Sequence, residues 1–326
     1  MNKSINAKGE SKMEKQKKKV TKHVIGDVYC LVDDFLSKHK KENFKITGLE
    51  FSNLGAQGRK PLFDATYSKK GTIMAYWKDE LQNCIVITAP EPGYEIKAPK
   101  CLWHFFDVEK NRYFHPTHLD VSHLDVSNTT NFSFCFRHFG FGFGKKSKDV
   151  ITSKIVGLET WDVSNGEDFG NMFDEAFPQN KNISLNLSSW RFNQKAKITF
   201  WDMFQRFGGQ ANKVILDVSG WNTTNVYNFD QMFKQFAPRA KMVELKGIEN
   251  WRLGDTGSIS LSYVFDDFAK ASTCRLDLSG WSVGCTQKPR MENFSRGGFF
   301  KIKEPTWEEP AVHHSWLVKA RRKKGK

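Results

Sequence analysis

Residues 216–236 read LDVSGWNTTNVYNFDQMFKQF, and a change of period inside this stretch decides the fold class. Leu216, Val218 and Trp221 alternate with polar residues, the mark of a short strand with one buried face. Phe229, Met232, Phe233 and Phe236 then run i, i+3, i+4, i+7, the apolar stripe of a helix of about three turns. The polar NTTN (222–225) between them suits a turn and an N-cap, with Asn225 four residues ahead of the first Phe. Such a unit cannot bury both of its apolar faces alone.

Working outward, the unit recurs. Trp161, Trp190, Trp221, Trp251 and Trp281 stand 29, 31, 30 and 30 residues apart, and Leu124 takes the same place in an earlier copy. Behind the anchors lie Leu119 and Val121, Val156 and Leu158, Leu185 and Leu187, and Leu276 and Leu278. In the Trp251 copy Ile248 matches, but Lys246 stands where the first apolar residue belongs. The second stripe returns as Phe132, Cys135, Phe136 and Phe139, again from Phe200 and from Leu261, and from Phe169 with its last member, Phe177, displaced by one. The reading is an α/β fold: six copies over 119–307 stacked as a leucine-rich-repeat-like solenoid, short parallel strands on one face and helices on the other. The last copy, with Pro289 and Pro305, is the closing unit.

Residues 23–118 read as a small α+β N-terminal cap over the open end of the stack. A helix is expected over Val24–Lys38, a hairpin over Ala65–Trp77, a strand over Cys84–Thr88 and a weak copy of the second stripe over Cys101–Phe106.

Composition agrees with a repeated aromatic core: 28 Phe and 10 Trp in 326 residues. The net charge of +14 sits at the ends. Residues 1–22 carry eight lysines against Glu10 and Glu14, and residues 316–326 carry six cations and no acid. A disordered basic tail is therefore expected over 1–22 and a second basic tail over 308–326. Lys15, Lys17, Lys18, Lys19, Arg321, Arg322, Lys323 and Lys324 would contact polyanions weakly and without sequence preference. Six scattered cysteines without a CxxC pair exclude a disulfide framework and suit a reducing compartment. No apolar run is long enough to span a membrane, and no export signal is readable at the lysine-rich start.

Three Cys/His pairs at x2 spacing, Cys101/His104, His115/His118 and Cys135/His138, raise the question of zinc. The repeat register answers it. Cys135 falls in the buried slot of Met172, Met203 and Met232, whereas His138 falls in the solvent slot of Arg206, Gln235 and Asp267, so the two face opposite ways. GFGFG (140–144) lacks the lysine of a phosphate-binding loop, and no nucleophile–base signature occurs. No metal, cofactor or catalysis is expected. The candidate binding surface is the outward row of the strands: Asp120, Ser122, Glu159, Asn186, Ser188, Asp217, Ser219, Glu249, Asp277 and Ser279, with Gly157 and Gly247. It is small, polar and acidic, which disfavours a phosphate backbone there.

WDVSN (161–165), LDVSGW (216–221) and LDLSGW (276–281), with NMF (171–173) and QMF (231–233), resemble the mycoplasma-type repeats of BspA-like leucine-rich-repeat surface proteins. FKIKEPTW (300–307) is similar to the way such arrays close. The resemblance implies a surface-located adhesion or assembly scaffold that binds a protein or glycan and catalyses nothing. The competing expectation is a nucleic-acid-associated or virion protein that binds polyanions through its tails.

Overall fold

The computed structural model describes residues 18–39, 46–79, 83–108, 114, 116–141, 152–254, 258–283, 289–297 and 302–303. Near the N-terminus a helix spans Val28–Lys38. Asp27 caps it by accepting from the Cys30 N–H at 3.1 Å, and Val28, Tyr29, Val32, Phe35 and Leu36 bury one face. It starts four residues later than the pattern suggests because Ile25 is engaged in a bridge with Thr66. Tyr29 lies edge-on to Phe106 at 5.6 Å and Phe114 at 4.9 Å, so the helix packs on the first ring of the aromatic core. Asp27→Ala is expected to cost about 1 kcal/mol, the usual loss of an N-cap, measurable by urea denaturation.

One six-stranded sheet joins this region to the first repeats. Gly48–Ser52 lies between Cys84–Thr88 and His118–Asp120, parallel to both, and His118–Asp120 pairs in parallel with Lys154–Val156. On the far side Met74–Trp77 runs antiparallel to Cys84–Thr88, and Phe63–Asp64 pairs with it as a hairpin. The basic tail expected over 1–22 ends earlier than its composition suggests. Lys19–Val20 pairs in parallel with Tyr94–Glu95, and the Thr21 hydroxyl accepts from the Lys97 N–H at 2.9 Å. Ladder hydrogen bonds hold these residues despite their charge.

Farther along, Asn182–Asn186, Lys213–Asp217 and Met242–Lys246 form a parallel three-stranded ladder in unbroken register. Ile183, Val214 and Val243 make one buried row and Leu185, Leu216 and Leu245 the next. Leu276–Asp277 pairs in parallel with Ile302–Lys303.

Two copies contradict the alignment on tryptophan by one residue. The ladder places Lys246 beside Asp217 and Val156 beside Asp120, so Leu245 and Ile155 take the inward places assigned to their neighbours. In both copies a left-handed glycine, Gly157 (φ 93°) or Gly247 (φ 87°), opens a single 3-10 turn, Leu158–Thr160 or Ile248–Asn250. The turn inserts one residue between strand and anchor.

The second stripe is not helical. In 132–139, 169–177, 200–207, 229–236 and 261–268 the chain makes successive turns, with a left-handed residue every four positions. Phe134 and His138, Asn171 and Glu175, Asp202 and Arg206, Gln231 and Gln235, and Tyr263 and Asp267 occupy those places. Backbone donors alternate in their use. Cys135, Arg137 and Phe139 donate to the residue three back, whereas Phe134, Phe136 and His138 donate to Gly170, Met172 and Asp174 of the next copy. Copy-to-copy spacing decides this outcome. Phe136, Phe173, Phe204, Phe233 and Phe265 stack at successive centroid distances of 5.3, 5.3, 5.7 and 5.7 Å. That is about half the 10 Å diameter of a helix, so helices cannot stack at this step. A four-residue turn period buries the same i, i+3, i+4, i+7 positions, which is why the sequence reads as helix.

Tryptophans make a parallel column. Trp190–Trp221, Trp221–Trp251 and Trp251–Trp281 stack at 6.2, 6.1 and 5.8 Å. Each indole N–H is directed at a carbonyl of the preceding copy: Trp161 to Val121, Trp190 to Leu158, Trp221 to Leu187 and Trp281 to Ile248. Trp251 is the exception, its buried Nε1 having no partner among the described residues. Trp221→Phe should therefore destabilise by about 1 kcal/mol more than Trp251→Phe, since it gives up an indole hydrogen bond that Trp251 does not make, while the Leu187 carbonyl keeps the Trp190 N–H. Equal losses in chemical denaturation would rule out that role for the indole bond.

Candidate functional site

The expected polar row proves to be turn chemistry first. Asp217 Oδ1 accepts from the Ser219 N–H at 3.1 Å and from its hydroxyl at 2.7 Å. Asn186 with Ser188, Asp120 with Ser122 and Asp277 with Ser279 repeat the arrangement. These are Asx turns, in which the side chain stands in for a backbone acceptor. The recurrence of Asp-x-Ser thus has a local cause. Hydrogen bonds from the Ser279 side chain and backbone, with Lys303, hold the Asp277 carboxyl down at about 2. In the copies with a 3-10 turn, Glu159 and Glu249 take the corresponding places and are exposed.

The outward strand face is broader than that row and is not purely acidic. In register across the three strands lie Asn182, Lys213 and Met242, then Ser184, Ile215 and Glu244, then Asn186, Asp217 and Lys246. Lys154 similarly sits beside His118. Lysine enters the expected row because the one-residue insertion at Gly247 brings Lys246, not Gly247, into it. Both signs are present, and Ile215 at the centre and Met242 at one corner, 46% exposed, supply apolar surface.

Cys135 and His138 face different surroundings. Cys135 is fully buried, and burial pushes its thiol well above the usual range. His138 instead faces Asp107 at 3.2 Å and Glu175 at 3.9 Å. Asp107, itself fully buried, also meets His104 Nδ1 at 2.5 Å and Arg137 at 2.9 Å. Among the described residues no group of three or more His, Cys, Asp or Glu is arranged to hold a metal. His115 and residues 142–144 of the glycine-rich stretch lie outside the described residues, as do Lys15, Lys17, Arg321, Arg322, Lys323 and Lys324. Of the tail lysines named above, Lys18 and Lys19 are described, and Lys19 lies over the Tyr94 ring at 5.8 Å.

Sequence reasoning missed a run of buried polar groups along the turn segments. In three copies the residues two before and one after the stacked Phe are hydrogen-bonded neighbours: His104 with Asp107, Asp202 with Gln205 and Gln231 with Lys234. Burial pushes the Asp202 carboxyl up to about 7, and Asp174 beside it adds to the rise. Asp174 is likewise pushed up by burial, to about 6, although Arg206 pairs with it at 3.0 Å and opposes the shift. The signal was present as a polar pair three residues apart at 104/107, 171/174, 202/205 and 231/234, but a helical reading turns those positions to solvent.

A family model matches residues 111–281 and again 202–308, together more than half of the chain. This protein belongs to the DUF285 family. The family is described as a mycoplasma protein of unknown function. The two matches of one DUF285 model overlap over 202–281, as a chain of similar copies should. The DUF285 match begins just before His118–Asp120, so the helix, the hairpin and the strands before it lie outside the matched residues. No curated protein and no solved structure matches the chain. Among the described residues no helix is long and apolar enough to cross a membrane.

Proposed function

We propose that this DUF285 protein is a non-catalytic scaffold of the BspA-like leucine-rich-repeat kind, its copies stacked as a solenoid that holds a protein partner on the strand face. The observation that carries the reading is the three-by-three grid on Asn182–Asn186, Lys213–Asp217 and Met242–Lys246. Unbroken parallel register keeps these side chains about 4.8 Å apart between strands, on a rigid support. Ile215 and Met242 give the grid apolar surface, while Lys213, Asp217, Glu244 and Lys246 surround it with charges of both signs. An apolar centre with a mixed polar rim is the composition of a protein interface. A polyanion would meet Asp217 and Glu244 there. Residues 23–118 serve as the cap, a role supported by the packing of Tyr29 on Phe106 and Phe114. Asp174 and Asp202, the carboxyls moved toward neutral pH, are buried against groups of their own chain, which suits support better than catalysis.

The test places a photo-crosslinking residue at Ile215 or, as control, at Tyr67 in the full chain, and identifies what is captured. Binding of that purified partner is then compared among variants. Ile215→Arg should weaken it roughly a hundredfold, as for a residue central to an interface. Neutralising Lys15, Lys17, Arg321, Arg322, Lys323 and Lys324 should leave it unchanged. Binding that survives Ile215→Arg and disappears with the tail charges would transfer the function to the tails.

A further inference from the structure

We propose that the turn segments carry a second binding site, an aromatic platform for an extended, uncharged oligosaccharide running from Trp103 to Trp201. The two indoles depart from the rule that the five tryptophans of the stacked column and its first copy obey. Trp161, Trp190, Trp221, Trp251 and Trp281 are buried, whereas Trp103 is 54% and Trp201 40% exposed. Both stand three residues before a stacked Phe, Trp103 before Phe106 and Trp201 before Phe204, and so share one position of the copy. The intervening copies place Ser133 and Gly170 there. A methyl group added at Gly170 would lie 3.4 Å from Trp201 Cε3, so the indole rests against the bare backbone of the preceding copy. Trp201 thus covers the buried Gly170, and with Ser133 also buried the surface between the two rings stays low.

Polar groups border that floor. Bridges run in parallel from Cys101 to Asn131, from Asn131 to Asp168 and from Asp168 to Thr199. Asn131 Oδ1 accepts from the Ser133 N–H at 2.8 Å, and Asp168 Oδ1 accepts from the Gly170 N–H at 2.9 Å. These bonds fix both side chains and leave the Asn131 amide N–H groups as donors and Asp168 Oδ2 as an acceptor, in residues that are only partly buried. A sugar hydroxyl both donates and accepts, so an amide beside a carboxylate can each take one. The C–H faces of a pyranose pack on an indole as other apolar groups do. Asp168 and the exposed Glu167 make the border acidic, which disfavours phosphate-bearing ligands.

The period of the ladder names the shape of the ligand. Phe106, Phe136, Phe173 and Phe204 advance by 5.2, 5.3 and 5.3 Å per copy, close to the length that one pyranose adds to an extended β-linked chain. Successive copies therefore offer successive sugars a ring, an amide, a carboxylate and a second ring. An α-linked chain, which coils, loses that register.

The experiment titrates the full chain with cellotetraose, chitotetraose and maltotetraose, followed by tryptophan fluorescence and calorimetry. One of the β-linked tetraoses should bind saturably at one site, and maltotetraose should not. Trp103→Ala and Trp201→Ala should each weaken binding about tenfold, the effect of losing one stacking contact. Both side chains are exposed, so melting curves should show the variants folded. Ile215→Arg should leave the affinity unaltered, which separates this site from the strand face. No saturable binding of any tetraose would overturn the proposal, and so would undiminished binding by the Trp103→Ala, Trp201→Ala double variant. A protein cross-linked from position 201 that neither β-linked tetraose displaces would overturn it as well.

Discussion

Replacing Gly247 with Ala should cost at least about 5 kcal/mol, enough to unfold a domain of ordinary stability at room temperature. A Cβ built there falls 2.0 Å from Ser219 Cα and 2.5 Å from the Ser219 nitrogen, in the backbone of the preceding copy. Neither atom can swing aside as a side chain can. The residue also sits at φ 87°, a region that glycine enters freely and alanine does not. The strain alone is worth about 1–2 kcal/mol, and the remainder must come from separating two copies joined by ladder hydrogen bonds. Gly58→Ala provides the control, because its φ is 74° but nothing lies within 4 Å of the added methyl. It should lose only the strain term. Equal losses at the two positions in a denaturant titration would show that close approach between copies does not set the register.

Asp202→Asn should raise stability by about 2–4 kcal/mol at pH 8, and the gain should vanish in acid. The carboxyl is 5% exposed, and burial, reinforced by Asp174, moves it from an ordinary 3.8 up to about 7. Each unit of such a shift corresponds to about 1.4 kcal/mol. Because the folded value is the higher one, the folded state retains the proton longer. Below pH 4 both states are protonated and Asp202 costs nothing. Between pH 4 and 7 the unfolded chain ionises first and gains, so this contribution falls; above pH 7 it is constant at its least favourable. Asparagine keeps the shape, accepts from Gln205 as Asp202 does at 2.9 Å, and tolerates the left-handed φ of 54°. Lys234 and Arg206 oppose the shift, and Asp230 supports it. Urea denaturation of both proteins at pH 5, 6, 7 and 8 measures the difference. A variant less stable than the parent at pH 8, or a difference independent of pH, would mean that Asp202 is charged without penalty.

The amino-acid sequence by itself determined which residues are inside. Leu185, Leu216 and Leu276, the five tryptophans and the phenylalanine pairs such as Phe200/Phe204 and Phe229/Phe233 are buried. Burial has a period, and a period can be read along a chain. Parallel pairing of the strands was legible for the same reason, since copies of one unit can share a core only by lying in the same direction. The backbone of the second stripe was not legible. A helix and a run of four-residue turns bury the same positions, and they differ only in whether Phe136 N–H is satisfied four residues back or by Met172 of the next copy. That choice belongs to the 5.3 Å step between copies, a tertiary quantity. The register at Lys246 was equally out of reach, because counting back from Trp251 cannot reveal that Gly247 opens an extra turn. The candidate row inherited that error. It counted Asp217 and Ser219 as candidate binding surface, when their hydrogen bonds to one another are part of the turn, and it omitted Ile215 and Met242, which the in-register ladder makes diagonal neighbours on the outward face. Nor could composition show Asp202 near neutrality. Desolvation is a property of the neighbours that exclude water from a group, and those neighbours come from three different copies of the repeat.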